Sequence, residues 1–138
     1  MVDTKITSVK QITRALLDIA EKFSLVVRNP EQIGPKAQDF LQRLNPYLIE
    51  CKQVSEWPGT QLLGHEATLY TYSLNAHSAA VLCTTKDNLK KWLHPHLPED
   101  LVFYKNNESL FISIVHENDF YFQVDERDEA FLRSKGLI

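Results

Sequence analysis

The sequence predicts an α+β fold: an antiparallel sheet of about five to six strands, with two N-terminal helices, a short middle helix and a C-terminal helix packed on it. Three observations predict it. Apolar residues recur at helical spacing mainly near the chain ends, while alternating, β-branched and aromatic runs fill most of residues 47–124. The links between those runs are short enough for hairpins, which favours antiparallel pairing. Helices and strands are also segregated along the chain, as expected for α+β and not for a parallel α/β fold. A length of 138 residues fits one domain, 1–138, able to bury a core without a disulfide or metal staple.

The first helix is expected over residues 8–23. Val9, Ile12, Leu16, Ile19 and Phe23 fall on one face, Lys10, Arg14, Asp18 and Lys22 on the other, and Ser8 with Gln11 offers a capping box. Leu25-Val26-Val27 is a short apolar run that stops at Asn29-Pro30. A second helix begins near Pro35, carries Ala37, Phe40, Leu41 and Leu44 as its apolar stripe, and ends at Asn45-Pro46. Strands are expected over Tyr47 to Ser55, Ala67 to Leu74 and Ser78 to Thr84. Trp57-Pro58-Gly59 marks a turn, and Asn75-Ala76-His77 a hairpin link. Thr85 opens a brief helix through Trp92-Leu93, which Pro95 and Pro98 keep from extending. Leu101 to Lys105, Leu110 to His116 and Phe120 to Val124 read as a three-stranded meander, with the middle strand apolar on both faces and so central. Asp125 caps a final helix through Ala130, Phe131 and Leu132, which Gly136 stops.

The formal charge of −3 is too small for a dedicated nucleic-acid binder. It is unevenly spread. Residues 1–98 carry eleven basic and nine acidic side chains, and residues 99–138 four basic and nine acidic. The acidic end, with Glu99, Asp100, Asp125, Glu126, Asp128 and Glu129, is read as a solvated surface that would repel phosphates. Cys51 and Cys83 are expected as reduced, buried thiols on strands. The N-terminus has no apolar core of a signal, and no run approaches the ~20 apolar residues of a membrane span, so a cytoplasmic, membrane-free protein is expected.

Chemistry-bearing motifs are sparse. His94-Pro95-His96 places two imidazoles close together, and His116-Glu117 adds an imidazole and a carboxylate, types that suit a transition metal. Their spacing matches no zinc template. Glu50-Cys51-Lys52 has the Glu-x-Lys form of some metal-dependent nucleases, with Asp39 as a second acid, but Asp39 falls in a helix and the net charge opposes a polyanion. There is no Gly-x-Ser-x-Gly elbow, and with four glycines no phosphate-cradling loop of the P-loop or dinucleotide type. No cofactor is expected.

The segment from Trp92 through Leu97-Pro98-Glu99-Asp100-Leu101-Val102-Phe103-Tyr104, followed by His116-Glu117, resembles a loosely known group of small bacterial proteins with a Leu-Pro-Glu-Asp-Leu-x-Phe segment and a later His-Glu. The resemblance spans about a third of the chain. It implies a bacterial origin and no particular activity. The Pro98-Glu99-Asp100 turn also reads locally, as the start of a strand whose acids accept nearby hydrogen bonds.

Plentiful aromatics beside missing catalytic motifs point to a non-enzymatic binding or accessory module, engaging a protein partner or forming a homodimer through a sheet face or edge. Trp57, Trp92 and Tyr104 are the candidate anchors. The competing reading is a small metal-dependent hydrolase using His94, His96, His116 and Glu117, with Glu117 as ligand or general base.

Overall fold

A computed structural model describes all 138 residues, Met1–Ile138. Seven antiparallel strands form one sheet in the order β1-β9-β8-β7-β2-β6-β3. They are β1 (Val2–Asp3), β2 (Lys22–Val27), β3 (Leu48–Val54), β6 (Ala67–Ser73), β7 (Glu99–Lys105), β8 (Glu108–Ile114) and β9 (Asp119–Phe122). A separate two-stranded hairpin, β4 (Glu56–Trp57) and β5 (Thr60–Gln61), lies between β3 and β6 in sequence. Four helices, α1 (Val9–Leu16), α2 (Pro35–Leu44), α3 (Ala76–Leu82) and α4 (Glu126–Ser134), complete the chain. None is long and apolar enough to cross a membrane.

The expected α+β class stands, with two more strands than the lower expected count and several changes of element. The first helix stops at Leu16, and Phe23 belongs to β2 instead of to its apolar face. Residues 23–27 are buried, because β2 sits between β6 and β7 near the sheet centre. Demand for a core strand overrides the helical spacing there. The strand expected over Ser78 to Thr84 is helix α3. Asn75 Oδ1 accepts from the Ser78 N–H while Ser78 Oγ accepts from the Asn75 N–H, a reciprocal cap that starts a helix where a hairpin link was expected. The brief helix after Thr85 shrinks to one 3-10 turn, Leu89–Lys91. The second and last helices, the strands near 48–54 and 67–73, and the meander form as expected.

All four helices pack on one face of the sheet. Val9, Ile12 and Leu16 of α1, Phe40 and Leu44 of α2, Leu82 of α3 and Leu132 of α4 share a core with Phe23, Leu25, Tyr72, Phe103, Phe111 and Phe122. On the opposite face, Trp57 joins Val26, Ala67 and Leu69, and Val102, Ile112, Ile114 and Tyr121 make an adjoining cluster. The hairpin lies close over this second cluster. A Cβ on Gly59 would stand 2.5 Å from Ile114 Cδ1, and Gly59 has φ +89°. Only glycine meets both the close approach and that backbone conformation.

The two sheet edges differ. On one side β1 is two residues long, and the chain beyond it is tied down by Thr4, whose hydroxyl donates to the Leu137 carbonyl. On the other side β3 runs for seven residues, with five consecutive residues, Ile49 to Gln53, exposed.

Candidate functional site

Three places hold the candidate functional side chains: a buried charged cluster at the start of β7, a cleft beside α2, and the outer edge of β3.

The cluster grows from a bulge. Opposite β2, Ser24 pairs with Val102 and Val26 with Glu99, so β7 holds an extra residue, and Asp100 there has φ +54°. Aspartate tolerates this left-handed conformation better than most residues. The distortion lets consecutive carboxylates serve one cluster where regular alternation would separate them. Both are buried: Glu99 is 0 % exposed and Asp100 1 %. Glu99 accepts from Arg28 Nε at 2.5 Å and from the His94 backbone N–H at 3.1 Å, and meets His116 Nε2 at 2.9 Å. Asp100 accepts from Trp57 Nε1 at 2.9 Å and from the Val115 N–H at 3.0 Å. The Arg28 guanidinium stacks 5.3 Å from the Trp57 ring centre and so links the two carboxylates. Burial pushes the Asp100 carboxyl above its usual value. The Val115 and Trp57 donors and Arg28 oppose that shift, and neighbouring Glu99 adds to it.

This arrangement can fasten elements together, and its bonds do so. Asp100 pins the β4–β5 hairpin through Trp57 and the end of β8 through Val115, while Glu99 ties β2, the 94–98 segment and the turn after β8. His116 presents an exposed imidazole to a buried carboxylate, a general-base-like pair. Its only side-chain hydrogen-bond partner is Glu99, so no serine, threonine or cysteine stands ready as its nucleophile.

The four residues named as metal ligands do not assemble. His116 turns to Glu99, His94 contributes its backbone N–H to that carboxylate while its buried Nδ1 has no partner, His96 lines the cleft beside α2, and Glu117 is exposed. No group of three or more histidine, cysteine, aspartate or glutamate side chains is placed to hold a metal ion. The Glu-x-Lys reading disperses too: Asp39 binds Arg43 on α2, while Glu50 and Lys52 lie 3.6 Å apart on β3.

The aromatic anchors are interior pieces. Trp92 is fully buried, meets Phe40 edge-on at 5.5 Å and donates its Nε1–H to the Lys86 carbonyl at 2.7 Å. Trp57 is buried under the hairpin, and half-buried Tyr104 shares a 2.8 Å hydrogen bond with Ser24 Oγ. Each ring has apolar area to bury and a polar atom already satisfied inside the fold. The acidic end is likewise less solvated than expected, since Glu99 and Asp100 are internal and Asp128 binds Lys105 at 2.8 Å. Cys51 is exposed on β3 and Cys83 half-buried at the end of α3, both as free thiols, which corrects the expected pair of buried strand cysteines.

The cleft escaped sequence reasoning as a site, and a sheet edge was anticipated without being placed on β3. A cavity of about 620 Å³ opens between α2 and the 84–86 and 96–97 segments. Its cationic lining comes from residues far apart in sequence, with no local motif. The β3 edge did leave a signal in Glu50-Cys51-Lys52, a pair of opposite charges flanking one residue. No protein-family model, curated protein or solved structure matches this chain.

Proposed function

We propose that the chain is a non-enzymatic binding module that acts as a homodimer, joined by antiparallel addition of β3 to β3 of a second copy. The observation that carries this is the bare edge itself, whose charges are self-complementary. Two copies related by a two-fold axis at Cys51 set Glu50 of each opposite Lys52 of the other. Opposed unlike charges stabilise a strand pair, and like charges destabilise it. Sliding the pair by two residues along either strand brings Glu50 against Glu50 or Lys52 against Lys52. The same two side chains that favour one register therefore disfavour its neighbours.

Charged edge residues also guard sheets against indiscriminate pairing. An edge bearing charges of one sign would repel every copy, whereas this one repels the two registers that flank the paired one. Adding one strand buries little area, so the dimer belongs among small, reversible interfaces, with a dissociation constant on the order of 10 µM.

Light scattering across a dilution series tests the proposal. The wild type should pass from dimer to monomer, Lys52→Glu should be monomeric throughout, and Glu50→Lys with Lys52→Glu should restore the dimer. A wild type that stays monomeric at millimolar concentration, or a dimer indifferent to Lys52→Glu, would overturn it.

A further inference from the structure

We infer that the cleft between α2 and the segment after α3 is a binding site for a phosphorylated small molecule. The proposal is independent of the dimer, since β3 contributes nothing to the cleft. The cavity, about 620 Å³, lies within the usual range of ligand sites. Lys36, Arg43 and Lys86 line it together with the exposed imidazole of His96, against a single carboxylate, Asp39. Such a concentration of cations stands out in a chain whose formal charge is −3.

The cations are of two kinds. Arg43 is already fixed: its Nε donates to Asp39 at 3.1 Å and its Nη1 to the Thr84 hydroxyl at 2.8 Å, joining α2 to the end of α3. Asp39 is thereby occupied by Arg43. Lys36 and Lys86 have no carboxylate within ion-pair distance. Their charge is left for something outside the chain. The Lys86 backbone is itself fixed, because its carbonyl accepts from the buried Trp92 indole.

The backbone contributes in the same direction. Gly34, at the start of α2, brings no side chain to cap the helix, and Pro35 follows it. The first amides of the ten-residue helix, beginning with that of Lys36, are therefore free to donate, at the end where the helix dipole favours an anion. Only two apolar residues, Phe40 and Leu97, line the cleft, and both are almost wholly buried beneath it. The polar groups it offers are the cationic heads of Lys36, Arg43 and Lys86, the His96 imidazole and the hydroxyls of Thr84 and Thr85, set among a larger exposed apolar area. The cations and hydroxyls suit a dianionic, many-acceptor group, and the apolar area between them suits the carbon skeleton that carries it. A volume well beyond a lone phosphate leaves room for a polar organic body attached to it.

Inorganic phosphate is the probe for the anchoring group. Amide chemical shifts of the full chain are followed during titration with sodium phosphate, against sodium chloride at matched ionic strength. Saturating shifts should appear at residues 36–37, 84–86 and 96, with half-saturation at millimolar phosphate. Lys36→Gln with Lys86→Gln should raise that concentration at least tenfold while shifts elsewhere, including those of β3, stay in place. Shifts that grow without saturating, or that match between the wild type and the double variant, would overturn the site. Both lysines are surface residues outside the core, so a folded variant is expected, and its unchanged β-sheet shifts verify that.

Discussion

Asp100 combines three costs in one residue: a left-handed backbone, near-complete burial and a carboxylate placed next to Glu99. Two donated hydrogen bonds, from Trp57 and Val115, are what the fold gives in return. Because burial raises its pKa above 3.8, the folded chain holds this proton to higher pH than the unfolded chain does. The stabilising contribution of the group is therefore full below pH 3.8 and is lost as pH rises through the raised folded value. Asp100→Asn should lower stability by about 1–3 kcal/mol, since the amide sets an N–H against one of the two donors. Urea unfolding at a series of pH values adds the decisive comparison. The wild type's advantage over the variant should shrink as pH rises from 3.8. A constant difference would mean that Asp100 ionises as readily in the fold as outside it. Little of this was legible in the sequence. Glu99 and Asp100 read as strand-start acids with local partners, while Arg28 lies 71 residues from Glu99 and Trp57 43 residues from Asp100. Local pattern carries no information about contacts of that span.

Elements were legible where one local signal acted alone and illegible where two competed. Helix α2 has proline at its first position, one apolar stripe and a second proline just past its end, all in agreement. Residues 76–84 offered an apolar run that suits either a strand or a helix, and the Asn75–Ser78 reciprocal cap decided for the helix. The meander was readable because both faces of β8 are apolar, as a strand with neighbours on each side requires. The β4–β5 hairpin illustrates a partial reading. Trp57-Pro58-Gly59 announced a turn, but nothing local said that the turn would fold back onto the sheet. Gly59→Ala tests that contact. The methyl would overlap Ile114 and force a side chain into a positive-φ backbone, at a cost of about 2–4 kcal/mol. The loss should appear as a lower urea midpoint. The same substitution at Gly64, also at positive φ but with nothing within 4 Å of the added methyl, should cost less, because only the backbone term remains. Equal losses at the two sites would show that the hairpin does not press on β8.

The whole molecule is asymmetric in two directions. Across its thickness, four helices cover one face of the sheet, and a small hairpin with its own aromatic ring covers part of the other. Across its width, the β1 edge is short and tied to the C-terminus, while the β3 edge is long and open. Sequence reading anticipated a sheet edge or face as the working surface, but assigned it to aromatics that the core had already claimed. Amide hydrogen exchange can separate these parts. The amides of β2 and β7, which have strands on both sides and apolar neighbours on both faces, should exchange only through global unfolding, at any protein concentration. Outward-pointing amides of residues 49–53 have no partner in a single copy, so in dilute solution they should exchange as fast as those of loops. Raising the concentration past the dimer's dissociation constant should slow that subset selectively. The protection should grow in proportion to the dimer fraction and vanish in Lys52→Glu. Because ligand-linked stabilisation follows occupancy, the thermal midpoint should climb over the same range of concentration. Protection of β3 that is already complete in dilute monomer would instead mean that the edge is covered from within the chain, and the self-complementary charges of Glu50 and Lys52 would then have no part in assembly.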